Sequence, residues 1–216
     1  KMQGIGCFIG KEEAESILLD QISSSGAAPL LVCISGPSCS GKTTLGEELA
    51  LVYIQKVGQS AAVLRMDDWF RGIDDCKLPR AENGASSFDW PQSYRYSDLR
   101  KAVAALAAGR EIIYPSYDLA GNRRQPSFDR IMRSSKLIII EGLYSILFCR
   151  DLLPKTFNIW AYAPFFTRLQ RRLIRDRTYG MDEPEIISRF LHAQSCFERF
   201  GYSQREWLDI VVCSAW

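Results

Sequence analysis

The chain has 216 residues, 47% of them hydrophobic, and a formal net charge of +2, which indicates one α/β domain spanning residues 1–216. The small net charge and the lack of a Lys/Arg-rich arm argue against nucleic acid as a partner, and no apolar run approaches the roughly 18 residues that span a bilayer. The chain has seven cysteines and no C-x-x-C pair, and its N-terminal apolar run is too short for a signal peptide; both favour a reducing, cytoplasmic location. Because His192 is the single histidine, the sequence argues against Ser-His-Asp catalysis and His-rich metal sites.

The first predicted elements are a helix and the strand that follows it. Residues 1–26 are expected to form an N-terminal helical extension, because Lys11 to Ser24 has a helical pattern of apolar residues that ends at a Ser-Gly turn. We expect this helix to pack on the edge of the sheet. Leu30 to Ile34 is a continuous apolar run, as a buried strand requires.

A glycine-rich loop follows this strand and opens a second helix, which ends near Gly58. The loop sequence GPSCSGKT fits G-x-x-x-x-G-K-[ST] in the context that the motif requires, between a strand and a helix. Its glycines let backbone N–H groups turn toward phosphates, and the helix N-terminus adds a positive dipole end. We expect Lys42 to reach the β- and γ-phosphates and Thr43 to bind Mg²⁺. The nucleotide-binding residues predicted by this motif are Gly36, Ser38, Ser40, Gly41, Lys42, Thr43 and Thr44.

Two aspartates end the second predicted strand, Ala61 to Met66. In an open parallel sheet, ligands bind outside the carboxyl ends of the strands, so both acids are expected to face the same crevice as the glycine loop. A phosphoryl acceptor needs a carboxylate that positions its hydroxyl and takes its proton. Asp67 is the better candidate because it is nearest the strand end, whereas Asp68 could cap a helix or a turn.

Residues 71–124 are predicted to form loops and a hairpin on the substrate side, interrupted by a helix from Ser97 to Ala108. In the stretch Phe-Asp-Trp-Pro, Asp89 could bind vicinal hydroxyls of a sugar, or the aromatics could simply anchor a surface loop. The extended segment Ile112 to Tyr117 leads into a polar hairpin that could form a wall of the substrate site, although its paired arginines could equally be solvated charges.

Three further strands complete the predicted sheet. Leu137 to Ile140 is continuously apolar and ends in Glu141, a place where an acid can hold magnesium directly or through water. Asn158 to Ala163 and Trp207 to Cys213 are the other two. The sequence therefore predicts a mainly parallel five-stranded sheet between layers of helices, a three-layer α/β/α fold.

An arginine-rich helix is predicted from Phe165 to Arg177. Spacings of three and four residues bring like charges to one side, where they repel one another unless an anion is bound. We therefore interpret residues 165–182 as a lid over phosphates rather than as a solvated face. A last helix, Glu185 to Phe200, carries His192, for which we expect a structural role. The arginines on the charged side of the lid helix are Arg168, Arg171, Arg172 and Arg175.

Taken in order from Leu30 nearly to the end of the chain, these segments resemble the uridine kinase and phosphoribulokinase family of P-loop kinases. The resemblance implies a P-loop NTPase fold and transfer of a phosphoryl group from ATP, with Mg²⁺, to a hydroxyl of a small molecule, above all the 5′-hydroxyl of a pyrimidine nucleoside. The stretches similar to family motifs are GPSCSGKT (Walker A), MDDWF (Asp-x-Phe-Tyr), FDWP (Asp-His-Pro), PSYDLAGNRR (Pro-x-Tyr-Asp), IIIEG (the magnesium-associated Glu), RLQRRLIRD (the lid) and LDIVV (the final strand).

The resemblance also implies roles for individual residues. It makes Asp67 the general base, Glu141 a magnesium-associated residue beside Thr43, and Lys42, Arg172 and Arg175 the cationic part of the catalytic set. Two implied acceptor contacts depart from the family: Asn122 falls where uridine-cytidine kinases have a base-reading His, and Arg189 falls where the family has Gln. The implied acceptor-binding residues are Phe70, Asp89, Tyr117, Asn122, Arg172 and Arg189.

Several alternatives stay open at this point. Nicotinamide riboside kinases also carry an Asp-Asp-aromatic-aromatic motif like Asp67 to Phe70, and phosphoribulokinase, pantothenate kinase and other metabolite kinases share the frame. A nucleotide-binding switch without an acceptor is the alternative from another class, although a GTPase would carry an Asn-Lys-x-Asp motif, which this sequence lacks. The sequence does not identify the acceptor or decide between ATP and GTP, and it leaves a homo-oligomer open.

Overall fold

The computed structural model describes residues 8–26, 28–80, 87–119 and 121–213. No helix within these ranges is both long and apolar enough to cross a bilayer. The α-helices are α1 (Lys11–Ser25), α2 (Lys42–Val57), α3 (Tyr96–Ala107), α4 (Ser145–Cys149), α5 (Phe165–Arg177) and α6 (Glu183–Phe200). The strands are β1 (Phe8–Ile9), β2 (Leu30–Ser35), β3 (Ala62–Arg65), β4 (Ile112–Tyr114), β5 (Tyr117–Asp118), β6 (Arg123–Arg124), β7 (Arg130–Met132), β8 (Leu137–Glu141), β9 (Thr156–Tyr162) and β10 (Ile210–Cys213).

The main sheet has the order β1-β10-β9-β2-β8-β3, and every neighbouring pair is parallel. Five of its strands are those predicted from the sequence, and the two-residue β1 extends the edge beside β10. Every residue of β2 and β8 is buried, because helices cover both faces of the sheet. The predicted three-layer α/β/α fold is confirmed.

Alternate residues of β2 belong to two different hydrophobic cores. Leu30, Val32 and Ile34 face the core that includes α1 and α2. Leu31 and Cys33 face the opposite core, which is rich in aromatic side chains and is covered by α3, α4 and the C-terminal part of α6. This alternation follows from the two-residue period of a strand. It fixes the end of β2, and therefore the start of the glycine loop, between two packed layers.

Among the predicted boundaries that differ in the structure, three have a clear physical reason or consequence. The predicted strand from Trp207 begins only at Ile210, because Tyr202–Trp207 is a 3-10 helix. The predicted extended segment from Ile112 is two strands, of which β4 pairs with β7 and β5 pairs with β6 in separate antiparallel ribbons. Helix α6 starts earlier than predicted because the Asp182 side chain caps it, accepting a hydrogen bond from Glu185 N at 2.8 Å.

Candidate active site

The glycine loop lies between the end of β2 and the start of α2, at the carboxyl edge of the sheet. Gly36 has φ 154°, and a Cβ at this position would lie 2.3 Å from the carbonyl oxygen of Ala161 on the adjacent β9. Gly41 precedes α2 with φ 93°. The loop therefore needs glycine at both positions for its curled path, which is the path that turns backbone N–H groups toward an anion.

Lys42 and Thr43, the first two residues of α2, both contact groups across the loop. The Lys42 side chain is buried, and its Nζ donates a hydrogen bond to the carbonyl oxygen of Pro37 at 2.9 Å. Burial lowers the pKa of Lys42, against the opposing effect of nearby carboxylates. Thr43 Oγ1 donates to Glu141 Oε1 at 3.0 Å, so the loop is tied to the end of β8.

Glu141 is a buried carboxylate at the end of β8, next to β2 in the sheet. Burial raises its pKa to about 7; the charge of Asp67 adds to this shift, and that of Lys42 opposes it. A divalent cation would stabilise the ionised form. Together with the Thr43 hydroxyl, the carboxylate forms a small set of oxygen donors of the kind through which Mg²⁺ binds in nucleotide sites, so these residues fit that ion.

The two aspartates after β3 have different surroundings. They belong to a 3-10 helix, Met66–Trp69, that begins where β3 ends. Asp68 Oδ2 accepts a hydrogen bond from the Tyr114 hydroxyl at 2.5 Å, which ties it to β4. Among the described residues, the hydrogen-bond contact of the Asp67 carboxylate is a long one, 3.5 Å from the Tyr94 hydroxyl to Oδ1. The Asp67 carboxylate is therefore the one left to meet a ligand.

One open cavity of about 540 Å³ collects most of these groups. It includes the predicted Lys42, Thr43, Asp67, Glu141 and Arg175. Ser40, a residue of the loop itself, is fully buried and does not line the cavity. The lining residues are Ser38, Cys39, Gly41, Lys42, Thr43, Thr44, Asp67, Glu141, Gly142, Leu143, Arg171 and Arg175.

Helix α5 is attached to the glycine loop through its arginines. Arg171 Nη1 donates to the carbonyl oxygen of Cys39 at 3.2 Å, and Arg172 Nη1 donates to Ser38 Oγ at 3.0 Å. Arg171 lines the cavity beside Arg175, whereas Arg172 contacts the loop from the side. Helical spacing placed both arginines on the charged side, and the family resemblance singled out Arg172, because spacing alone does not say which of two adjacent arginines faces the cavity.

Sequence reasoning also missed Asp176, near the end of α5. Its carboxylate is only 2% exposed and accepts hydrogen bonds from the side chains of Arg172 and Arg175. An acid four residues after an arginine on a helix is a recognisable ion-pair spacing, and this signal was available in the sequence.

Two of the aromatic residues implied for the acceptor are packed in a cluster. Phe70 and Tyr117 are each 8% exposed, and Phe70 stacks on Tyr94 with ring centroids 4.3 Å apart. The Tyr117 hydroxyl donates to the carbonyl oxygen of Arg71 at 2.9 Å. Neither ring lines the nucleotide cavity.

Asn122 lies on the turn that joins β5 to β6. It has φ 51°, a left-handed conformation that Asn tolerates better than most residues, and its carbonyl oxygen accepts a hydrogen bond from Ile73 N at 2.9 Å. These observations give Asn122 a structural role in the turn, and the residue does not line the nucleotide cavity.

Basic side chains on α5 and α6 act electrostatically on Asp89. Burial raises the pKa of its carboxyl group, and the groups that oppose this shift include Arg172 on α5 and Arg189 on α6. Arg189 also pairs with Glu185 Oε1 at 2.7 Å. His192 also opposes the rise in the pKa of Asp89. The Nε2 atom of His192 lies 3.5 Å from Cys196 Sγ. Asp89, Arg172 and Arg189 are thus brought into one neighbourhood, unlike the hairpin residue Asn122.

Comparison with known proteins gives a consistent result. The sequence model of the Phosphoribulokinase / Uridine kinase family matches residues 31–214. Uridine kinase from Mycoplasma pneumoniae is 27% identical over 184 residues, which cover 85% of this chain and 84% of that protein. Uridine/cytidine kinase UKL1, chloroplastic, from Arabidopsis thaliana is 25% identical over 187 residues, and the chain spans 37% of the length of that protein. The D-glycerate 3-kinase structure from Cryptococcus neoformans var. grubii has a TM-score of 0.63 at 14% identity, covering 93% of this chain and 92% of that one, a likeness of fold alone.

The family match covers most of the chain and includes every residue of the cavity. Membership implies ATP as the phosphoryl donor, with Mg²⁺ as its usual companion. The family match and the uridine kinase relative also confirm the expectation of an enzyme. The chain belongs to the Phosphoribulokinase / Uridine kinase family and is a small-molecule kinase.

Proposed function

We propose that this kinase transfers the γ-phosphoryl group of ATP to the 5′-hydroxyl of a pyrimidine nucleoside. The observation that carries the proposal is the convergence of Lys42, Glu141 and Asp67, from three neighbouring strand ends, on one cavity. The 27% identity to a uridine kinase across most of both chains supports a pyrimidine nucleoside as the acceptor.

On the nucleotide side, the loop N–H groups and Lys42 bind the phosphates. Lys42 exchanges its hydrogen bond to the Pro37 carbonyl for one to a phosphate oxygen, which costs little because the ammonium group is already desolvated. Thr43 and Glu141 would hold Mg²⁺, which when bound supplies charge neutralisation at the phosphates.

On the reacting side, Asp67 aligns the acceptor hydroxyl and accepts its proton. The acceptor oxygen forms a bond to the γ-phosphorus while the bond to the bridging β,γ-oxygen breaks, so ADP leaves. Arg172 and Arg175, within the lid of residues 165–182, neutralise the charge of the transferring group and exclude water, which would otherwise compete as the nucleophile.

The acceptor is held by the segment of residues 71–124 together with the lid side. Asp89 accepts hydrogen bonds from the ribose hydroxyls, and the charges of Arg172 and Arg189 favour its ionised form. Phe70 and Tyr117 shape the wall behind the acceptor, and Asn122 stabilises the hairpin turn through its carbonyl oxygen, which accepts from Ile73 N.

One observation favours a second candidate, a small hydroxylated metabolite without a pyrimidine base. The Tyr117 hydroxyl, implied to lie near the base, is engaged by the Arg71 carbonyl oxygen, and the ring is buried. A polar acceptor that contacts only Asp89, Arg172 and Arg189 would need neither the hydroxyl nor the ring of Tyr117.

Product analysis separates the two candidates. The full chain is incubated with Mg-ATP and either uridine, cytidine, nicotinamide riboside, ribulose 5-phosphate, pantothenate or D-glycerate, and the product is identified by ³¹P NMR and mass spectrometry. The proposal expects a 5′-monophosphate from uridine or cytidine. Phosphorylation of D-glycerate or ribulose 5-phosphate alone would replace the nucleoside by the second candidate.

A further inference from the structure

A buried carboxylate connects two arginines of the lid helix. Asp176 Oδ1 accepts a hydrogen bond from Arg175 Nε at 2.7 Å, and its Oδ2 accepts one from Arg172 Nε. Each oxygen thus serves a different arginine, and in both arginines the bonded atom is Nε. The Asp176 side chain is almost completely shielded from solvent, whereas the Arg175 side chain is 49% exposed.

This choice of atom leaves the terminal amino groups of both guanidinium groups for other acceptors. Arg172 uses Nη1 for Ser38 Oγ on the glycine loop, at 3.0 Å. Arg175 lines the nucleotide cavity. A guanidinium group fixed through Nε presents its two terminal nitrogens in a defined plane, the geometry that suits phosphate oxygens.

Asp176 also supplies the charge that lets the arginines lie together before a nucleotide binds. Arg168, Arg171, Arg172 and Arg175 occupy one side of α5, and like charges at these spacings repel. Asp176 is the only carboxylate within the described residues that pairs with Arg172 or Arg175. The carboxylate therefore both neutralises and orients the pair.

We propose that Asp176 is a positioning residue of the lid, which holds Arg175 so that its terminal amino groups face the γ-phosphate and holds Arg172 against the hydroxyl of Ser38 on the glycine loop. It touches no substrate and acts through the two arginines. The inference rests on the phosphate-binding role proposed for these arginines, and it does not depend on which acceptor the enzyme uses.

The variant that tests this inference is Asp176→Asn. The substitution keeps the size of the side chain but leaves one accepting oxygen, and its amide N–H₂ would meet the second Nε–H. One arginine therefore loses its orientation. We expect the affinity for Mg-ATP to fall about tenfold, the amount typical of one hydrogen bond to a charged group, while the affinity for Mg-ADP changes less than threefold. Titration calorimetry with each nucleotide on the full chain measures both.

The same substitution in a chain that already lacks Arg175 distinguishes loss of arginine positioning from general damage to the fold. In an Arg175→Ala chain, the single oxygen left by Asp176→Asn can still accept from Arg172, so the substitution should cost no further ATP affinity. Glu183→Gln is the matched control, because Glu183, the first residue of α6, forms an exposed pair with Arg177, the last residue of α5. It should leave both affinities unchanged.

Three results would overturn the inference. They are equal losses for Mg-ATP and Mg-ADP, a full additional loss in the Arg175→Ala background, and unchanged ATP affinity in a folded Asp176→Asn chain. If thermal unfolding shows that this variant does not fold, Asp176→Glu keeps the charge but moves it by one methylene, and it should reproduce the loss for ATP. Because nucleotide binding needs no acceptor, the result is independent of whether any nucleoside is phosphorylated.

Discussion

The two sides of the cleft hold their functional groups in different ways. On the nucleotide side, Lys42 and Thr43 make hydrogen bonds of 2.9 and 3.0 Å to groups fixed by β2 and β8. On the side proposed for the acceptor, the described residues give the Asp67 carboxylate a single hydrogen-bond contact, of 3.5 Å, and give the Asp89 carboxylate no hydrogen-bond donor. The nucleotide side is thus already ordered by the sheet, while the acceptor side lies on loops.

This difference has a physical cause. Buried parallel strands are fixed by two packed cores, so groups at their ends have little freedom. Loops on a rigid scaffold tolerate changes of sequence with little effect on the stability of the fold, and in many enzymes they determine substrate specificity. Substitutions on the nucleotide side should therefore affect every acceptor alike, and substitutions on the acceptor side should discriminate between acceptors.

The largest effect is expected for Asp67→Asn. Loss of the general base should lower kcat by roughly 10²- to 10⁴-fold while leaving Mg-ATP affinity nearly unchanged. Steady-state kinetics and calorimetry test both parts. The matched control is the neighbouring Asp68→Asn, which removes a carboxylate that accepts from Tyr114 and should reduce stability rather than turnover. Full activity of the Asp67→Asn variant would contradict the assignment of Asp67 as the general base.

Lys42→Met should weaken Mg-ATP binding by about 10- to 100-fold, because a buried charged contact to phosphate is lost. Calorimetric titration measures the change. Lys56→Met, at the exposed last turn of the same helix, is the control and should bind as the unmodified chain does. Equal affinities for the two variants would contradict the assigned role of Lys42.

Glu141 should make the metal-free protein less stable as pH rises. Its folded pKa of about 7 lies above the ordinary value of 4.5, so the folded state binds more protons than the unfolded state between these values. The free energy of unfolding therefore falls as pH rises through this window, by up to roughly 3 kcal/mol from this group. Denaturant unfolding with chelator at pH 5 and pH 8 should show the fall, and Glu141→Gln should abolish most of it. An identical fall in Glu141→Gln would assign the pH dependence to other groups.

Tyr117→Phe should have the smallest effect. It removes the hydrogen bond to the Arg71 carbonyl oxygen and should cost about 1 kcal/mol in the free energy of unfolding. Because the hydroxyl is engaged within the fold, KM for any accepted nucleoside should change less than threefold. A large rise in KM for uridine with unchanged stability would show instead that this hydroxyl reads the base.

The sequence predicted the parts that depend on local pattern. The glycine loop is recognisable from eight consecutive residues, and β8 from an unbroken apolar run ending in Glu141, so both were located correctly before the fold was known. Asp67 followed from the rule that ligands bind at the carboxyl ends of parallel strands. These signals are short in sequence and need no knowledge of distant contacts.

The remaining features depend on contacts distant in sequence. Whether Phe70 and Tyr117 face a ligand or the core is decided by packing against Tyr94 and Phe88, on other segments. Helix α4 has only five residues, too few to show a helical period. Arg172 bonds to the carboxylate of Asp176 and to the hydroxyl of Ser38, and it lies beside the glycine loop, whereas Arg171 lines the cavity.

The most direct measurement is a coupled assay of ADP release with Mg-ATP, alone and with each acceptor in turn. If the nucleotide site is already ordered without an acceptor, ADP release should be slow with Mg-ATP alone and rapid when uridine or cytidine is added. Strong stimulation by another metabolite would preserve the kinase and change the acceptor. Bound Mg-ATP with no stimulation by any acceptor would contradict the proposal that Asp67 and the nucleotide site act together on a hydroxyl of these molecules.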